Sequence, residues 1–138
     1  MSNFCLLIRD FNQLVRGDGA TLDRPKFTIE NAFAIGPVDV KFSPDGSRVA
    51  TSSVDNSLRV FSLNEESKDS GAASTSATLL CEAPSELAEA WKIDFSADGS
   101  QILTGQLSLN TFSITEGGNG DGGPSFTLRK DDGDLAFN

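Results

Sequence analysis

Val38, Val40 and Phe42 alternate with Asp39 and Lys41, the two-residue period of a strand with one face buried. Ser43-Pro44-Asp45-Gly46 then supplies the chemistry of a type I turn, with a hydroxyl first, a proline of preset φ second and a glycine last. The pattern predicts a second strand over Arg48 to Ser53, a turn at Val54-Asp55-Asn56-Ser57 and a third strand carrying Leu58, Val60 and Phe61. The polar stretch from Asn64 to Ser76 predicts a flexible loop by composition, and Ala77 to Glu82 a fourth strand.

The same pattern is written twice. FSPDG starts at Phe42 and FSADG at Phe95, an offset of 53 residues, and Val49-Ala50-Thr51 aligns with Ile102-Leu103-Thr104 at that offset. Leu58 to Leu63 aligns with Leu109 to Ile114 at an offset of 51, so the second copy has lost two residues in the turn between its second and third strands. Strands are predicted over Trp91 to Phe95, Gln101 to Gly105, Leu109 to Ile114 and Ser125 to Arg129, with TEGGNGDGGP as a loop. PSELAE (84–89) predicts one helical turn between the units, Lys26 to Glu30 a further short strand, Phe4 to Phe11 a candidate strand, and RGDGATLDRP a loop. The chain then divides into an N-terminal segment with a possible outer closing strand (1–35), a first unit (36–84), a second unit (85–130) and the start of a next repeat or a tail (131–138).

Four short up-and-down strands with a PDG-type turn after the first resemble a blade of a WD-repeat propeller. The specific likeness is in SPDGSRVATSSVDNSLRVFSL, where Ser52, Ser53, Asp55, Ser57 and Leu58 sit in the pattern of the family's second-to-third strand turn, and Phe61-Ser62 stands where its Trp-Asp pair would be. The resemblance implies structural roles for Ser52, Ser53, Asp55, Ser57 and Phe61, since the family's turn Asp accepts hydrogen bonds from a Ser/Thr and a His that lock one blade to the next. This chain has no His. The second unit has Ser108 near the place of the Asp, so both units are degenerate repeats.

A narrower likeness joins AIGPVDVKFSPDGSRVATSS and EAWKIDFSADGSQILTGQLSLNTFSI to the WD-repeat subunit shared by the Ski complex and the Paf elongation complex. There an acidic-Ala-Trp step opens a blade, matched by Glu89-Ala90-Trp91, with Thr104-Gly105 and Phe112 also in register. These resemblances imply an all-β fold of antiparallel four-stranded blades in a partial propeller, about two blades plus an N-terminal strand. They imply a protein–protein interaction scaffold in mRNA decay and transcription elongation, cytoplasmic or nuclear, with tetratricopeptide-repeat and helicase subunits as partners. A generic WD-repeat adaptor, such as a ubiquitin-ligase substrate receptor or signalling scaffold, is the alternative.

Composition narrows the chemistry. A net charge of −9 with no Lys/Arg cluster argues against direct contact with nucleic acid or an anionic membrane. Cys5 and Cys81 lack any metal or disulfide spacing and predict two free thiols in a reducing compartment. The apolar run at 4–8 is too short for a signal-peptide core or a membrane span. Without His, neither a Ser/His nor a Cys/His nucleophile pair nor a His metal ligand can be built. No catalytic, cofactor-binding or metal residue is predicted, and no cofactor or small-molecule substrate. GGNGDGG (117–123) resembles a calcium β-roll repeat but occurs once, which makes a flexible hairpin loop the simpler reading and a small acidic calcium-binding β module a further alternative. Trp91 is expected in blade-to-blade packing, or else as an exposed interface aromatic.

Closed propellers have typically about 4 to 8 blades. Two blades are therefore expected to expose apolar faces on both sides. The chain is expected to be a piece of a ring, a truncated product or a form completed by association, and to self-associate.

Overall fold

The turn sequences SPDG and SADG each reverse the chain between two strands, and they do so with the same hydrogen bonds. In the computed structural model, Ser43 Oγ donates to Asp45 Oδ1 at 2.7 Å, and Asp45 Oδ1 also accepts the Ser47 amide (3.0 Å) and hydroxyl (2.8 Å). Ser96, Asp98 and Ser100 repeat these bonds at 2.7, 3.0 and 2.8 Å. Gly46 and Gly99 close the turns at φ 74° and 75°, the left-handed region that a glycine enters without strain. The amide and hydroxyl donors hold the Asp45 and Asp98 carboxyls down to about 2. Folded values below the ordinary carboxylate range mean that this contribution to stability is complete above about pH 4 and is lost as pH falls toward 2. Acid titration followed by circular dichroism is expected to show a small loss of stability between pH 4 and 2, and Asp45→Asn with Asp98→Asn is expected to reduce that pH dependence.

The structure describes residues 4–9, 25–66, 74–83, 90–106, 108–119 and 123–131, and among them there are ten strands and no helix. They are β1 (Phe4–Ile8), β2 (Phe27–Phe33), β3 (Pro37–Phe42), β4 (Arg48–Ser53), β5 (Leu58–Glu66), β6 (Ser74–Ala83), β7 (Lys92–Phe95), β8 (Gln101–Gly105), β9 (Leu109–Asn119) and β10 (Gly123–Lys130). β1 pairs with β2, β3 to β6 form one antiparallel sheet in chain order, and β7 to β10 form another. Each repeat is thus a four-stranded antiparallel propeller blade. The register is the same in both: Phe42 opposes Val49, which opposes Phe61, and Phe95 opposes Ile102, which opposes Phe112.

The sheets stack face to face in three layers. Val49 and Phe61 on one face of the first blade pack against Ile29, Ala32 and Phe33 of β2, with Phe4, Leu6 and Ile8 of β1 at the margin. Ala50, Leu58, Val60 and Cys81 on its other face pack against Ile93, Ile102 and Phe112 of the second blade. A strand alternates its side chains between faces, so each blade offers two apolar sets and the first blade has both covered. The expectation of bare apolar faces on both sides is corrected here. β1 and β2 cover one side of the first blade. The outer face of the second blade is largely polar, with Thr111 where the first blade has Val60. On that face Ser113 Oγ donates to Asp131 Oδ2 at 2.8 Å, and Gln101 Nε2 to the same oxygen at 3.3 Å.

Other differences from the sequence pattern have local causes. Asn64 to Ser76 is not all loop: β5 and β6 continue through Asn64↔Ser76, Glu65↔Thr75 and Glu66↔Ser74. Likewise β9 and β10 pair as far as Asn119↔Gly123, because hairpin pairing satisfies the backbone whatever the composition. Phe42 is half-exposed rather than buried with its face. The layer beneath it has only two strands, packed against β4 to β6, and leaves the end of β3 uncovered. β1 covers Phe4–Ile8, residues 10 and 11 of the expected strand lying outside the described residues, while β2 runs on to Phe33. The helical turn expected at 84–89 and most of the loop expected at 16–25 lie outside the described residues. Cys5 and Cys81 form no disulfide, and burial pushes the Cys81 thiol up to about 11, against the nearby Arg48, so it is protonated at neutral pH.

Candidate protein-interaction face

The second-to-third strand turns and the segments that enter each innermost strand lie at the same end of the sheets. In the first blade this end is built on Ser53 and Asp55. Ser53 Oγ accepts the amides of Ile35 (2.9 Å) and Gly36 (3.2 Å), and the Val54 amide returns to the Gly36 carbonyl at 2.9 Å. Asp55 Oδ1 accepts the Ser57 amide (3.1 Å) and hydroxyl (2.7 Å), an Asx-turn that the residue types favour. Partial burial raises the Asp55 carboxyl, but the Ser57 and Ser53 donors outweigh it and the net shift is downward. Asn56 sits at φ 68°, which an asparagine tolerates better than most side chains. That twist turns its carbonyl toward the second blade.

Among the described residues, three hydrogen bonds cross from the first blade to the segment around Trp91. The Ala90 amide donates to the Asn56 carbonyl at 3.2 Å, Ser52 Oγ donates to the Trp91 carbonyl at 2.9 Å, and the Ile93 amide donates to Asp39 Oδ2 at 3.1 Å. Thr51 Oγ1 makes the corresponding link in the other direction, to the Ala32 carbonyl at 2.6 Å.

Ser53, Asp55 and Ser57 therefore meet in one turn, and Ser52 reaches from the adjoining strand end to the second blade. Phe61 takes no part in this end: its ring is buried in the layer against β2. The Trp91 side chain is 42% exposed and is not part of the apolar cluster between the blades, so the expected blade-to-blade packing of its ring is corrected; only its backbone carbonyl is tied to the first blade. Asp39, Thr51 and Asn56 were not legible as blade links. Asp39 reads in sequence only as the polar half of an alternating strand. Thr51, with its repeat-mate Thr104, carried a usable signal as a hydroxyl kept in both copies.

Ile35, Val54, Trp91 and Leu109 are all large, apolar and exposed at this end. Beside them runs a groove of about 330 Å³, lined by Asp39, Lys41, Lys92, Asp94, Leu103 and Leu109 among others. Its opposed charges and aliphatic side chains suit a protein surface better than a single ionic ligand. Among the described residues no group of three or more His, Cys, Asp or Glu is placed to hold a metal ion. Residues 120–122 of the glycine-rich stretch lie outside them.

The family model described as WD domain, G-beta repeat, matches residues 31–62. That span runs from the end of β2 through β3 and β4 into β5, one strand out of step with the sheet itself. Comparison with curated proteins and with solved structures gives no match.

Proposed function

We propose that this chain is a protein–protein interaction scaffold without chemistry of its own, and that it engages a partner protein through the end of the sheets carrying Ile35, Val54, Trp91 and Leu109. The WD40 repeat at 31–62 supports the scaffold role. The observation that carries the choice of face is Trp91, an exposed indole whose backbone is already fixed. Tryptophan is enriched among residues that dominate binding energy, and an ordered one spares part of the cost of association.

The narrower reading makes the chain a subunit of the Ski and Paf type, cytoplasmic or nuclear, with RNA contact left to partners. Its support is the Glu89-Ala90-Trp91 step together with Thr104-Gly105 and Phe112. Binding to a purified tetratricopeptide-repeat Ski subunit, measured by calorimetry, tests it. A complex is expected, weakened about 30-fold by Trp91→Ala, as the loss of about 2 kcal/mol at a hot spot requires. A complex with a different identified protein, equally sensitive to Trp91→Ala, would support the generic adaptor instead. Partner binding indifferent to both Trp91→Ala and Leu109→Asp would refute the choice of face.

A further inference from the structure

Trp91 is an exposed aromatic ring at the interaction face, yet the backbone around it is tied to the first blade. Ala90, Trp91 and Ile93 each give one backbone group to the first blade, to the Asn56 carbonyl, the Ser52 hydroxyl and the Asp39 carboxylate. Asp39 is itself held in place, because its Oδ1 accepts the Val40 amide at 3.0 Å while Oδ2 reaches Ile93. Both carboxylate oxygens are thus committed, one to its own strand and one to the next blade.

We infer that Asp39, Ser52 and the Asn56 carbonyl form a clamp whose role is to present Trp91 as an ordered anchor, so that the interaction face exists only while the second blade is docked on the first. The repeat supplies the contrast that separates this from routine packing. At the positions of Asp39 and Ser52 the second copy has Lys92 and Gly105, which offer neither the carboxylate acceptor nor the hydroxyl donor. The clamp is therefore not a feature that every copy of the unit carries; it stands in the one blade that lies next to the tryptophan. Asp39 and Ser52 are positioning residues that act through the backbone of the anchor. Linkage makes the coupling reciprocal: a partner that binds the ordered indole must also stabilise docking of the blades.

The consequence for partner binding rests on Trp91 being the anchor, as proposed above; the clamp itself does not. Fluorescence of the full chain separates the two, because the sequence has one Trp and no Tyr, and the ultraviolet emission reports on Trp91. In Asp39→Ala with Ser52→Ala, acrylamide quenching of Trp91 is expected to rise about twofold and its nanosecond anisotropy decay to gain a fast component, as for a segment released to local motion. Far-UV circular dichroism is expected to stay unchanged. Asp39→Asn, which keeps an acceptor oxygen, is expected to restore most of the wild-type anisotropy on the Ser52 background. Thr115→Ala, on the outer face of the second blade, is expected to change nothing. Should the double variant fail to fold, Ser52→Ala alone is read for a smaller shift in the same direction. Quenching and anisotropy equal to wild type in both the Asp39 and Ser52 variants would overturn the clamp. A mobile Trp91 with undiminished partner affinity would confirm the clamp and refute the anchor.

Discussion

Phe112→Ala is expected to lower the free energy of unfolding by about 3–5 kcal/mol, the range for deleting a buried phenyl ring from a core that cannot collapse around the space. Phe112 is wholly buried and lies between the blades, opposite Ile102 in its own sheet and in one cluster with Leu58 and Val60 of the other. Small domains have only about 5–15 kcal/mol to lose, so the variant is expected to show a sharply lower urea midpoint or no cooperative transition at physiological temperature. Leu103→Ala in the neighbouring strand provides the comparison. Leu103 points to the outer face and is 38% exposed, so its truncation is expected to cost under about 1 kcal/mol. Equal costs at the two positions would mean that the second blade does not pack on the first through the face seen here.

Phe61→Ala is expected to cost a similar amount, about 3–5 kcal/mol, but with a different geography. Phe61 is the repeat-mate of Phe112, and it faces β2 rather than the second blade. Its loss removes the seat of β1 and β2 before it touches the interface around Phe112. Hydrogen exchange is expected to show amides of β1 and β2 losing protection first, while β8 and β9 hold theirs, because stability in stacked units is largely a sum of neighbour interfaces. Simultaneous loss of protection in all three layers would show that the stack unfolds only as a whole.

The sequence carried the blades well because each depends on local rules. Alternating residues, a hydroxyl-first turn closed by glycine, and a second copy in register are all readable within a few positions, and Gly46 and Gly99 reproduce each other to a degree in φ. What escaped depends on layers. Phe42 and Phe95 are equivalent in register, yet Phe95 packs on a four-stranded neighbour and Phe42 overhangs a two-stranded one. Nothing within a strand records how wide its neighbour is. The long β9–β10 ribbon was hidden by glycines whose composition says loop while their backbones pair.

The interaction face was legible in part for the same reason. Ser53, Asp55 and Ser57 form a local turn and stand within five residues of one another, so the pattern finds them. Asp39 meets Ile93 across 54 residues and Ser52 meets Trp91 across 39, separations at which no spacing rule operates. The absence of His removes one familiar blade link. The structure shows others, built from a serine hydroxyl, an aspartate and a left-handed asparagine carbonyl.

The two copies of one sheet lie against each other, the inward side of the later copy on the outward side of the earlier. Methyl nuclear Overhauser contacts test this most directly, with Ile93 and Ile102 observed against Ala50, Leu58 and Val60. Cross-peaks between the two sets, alongside intact contacts within each sheet, are the predicted result. Intact sheets with no cross-peaks between them would contradict it.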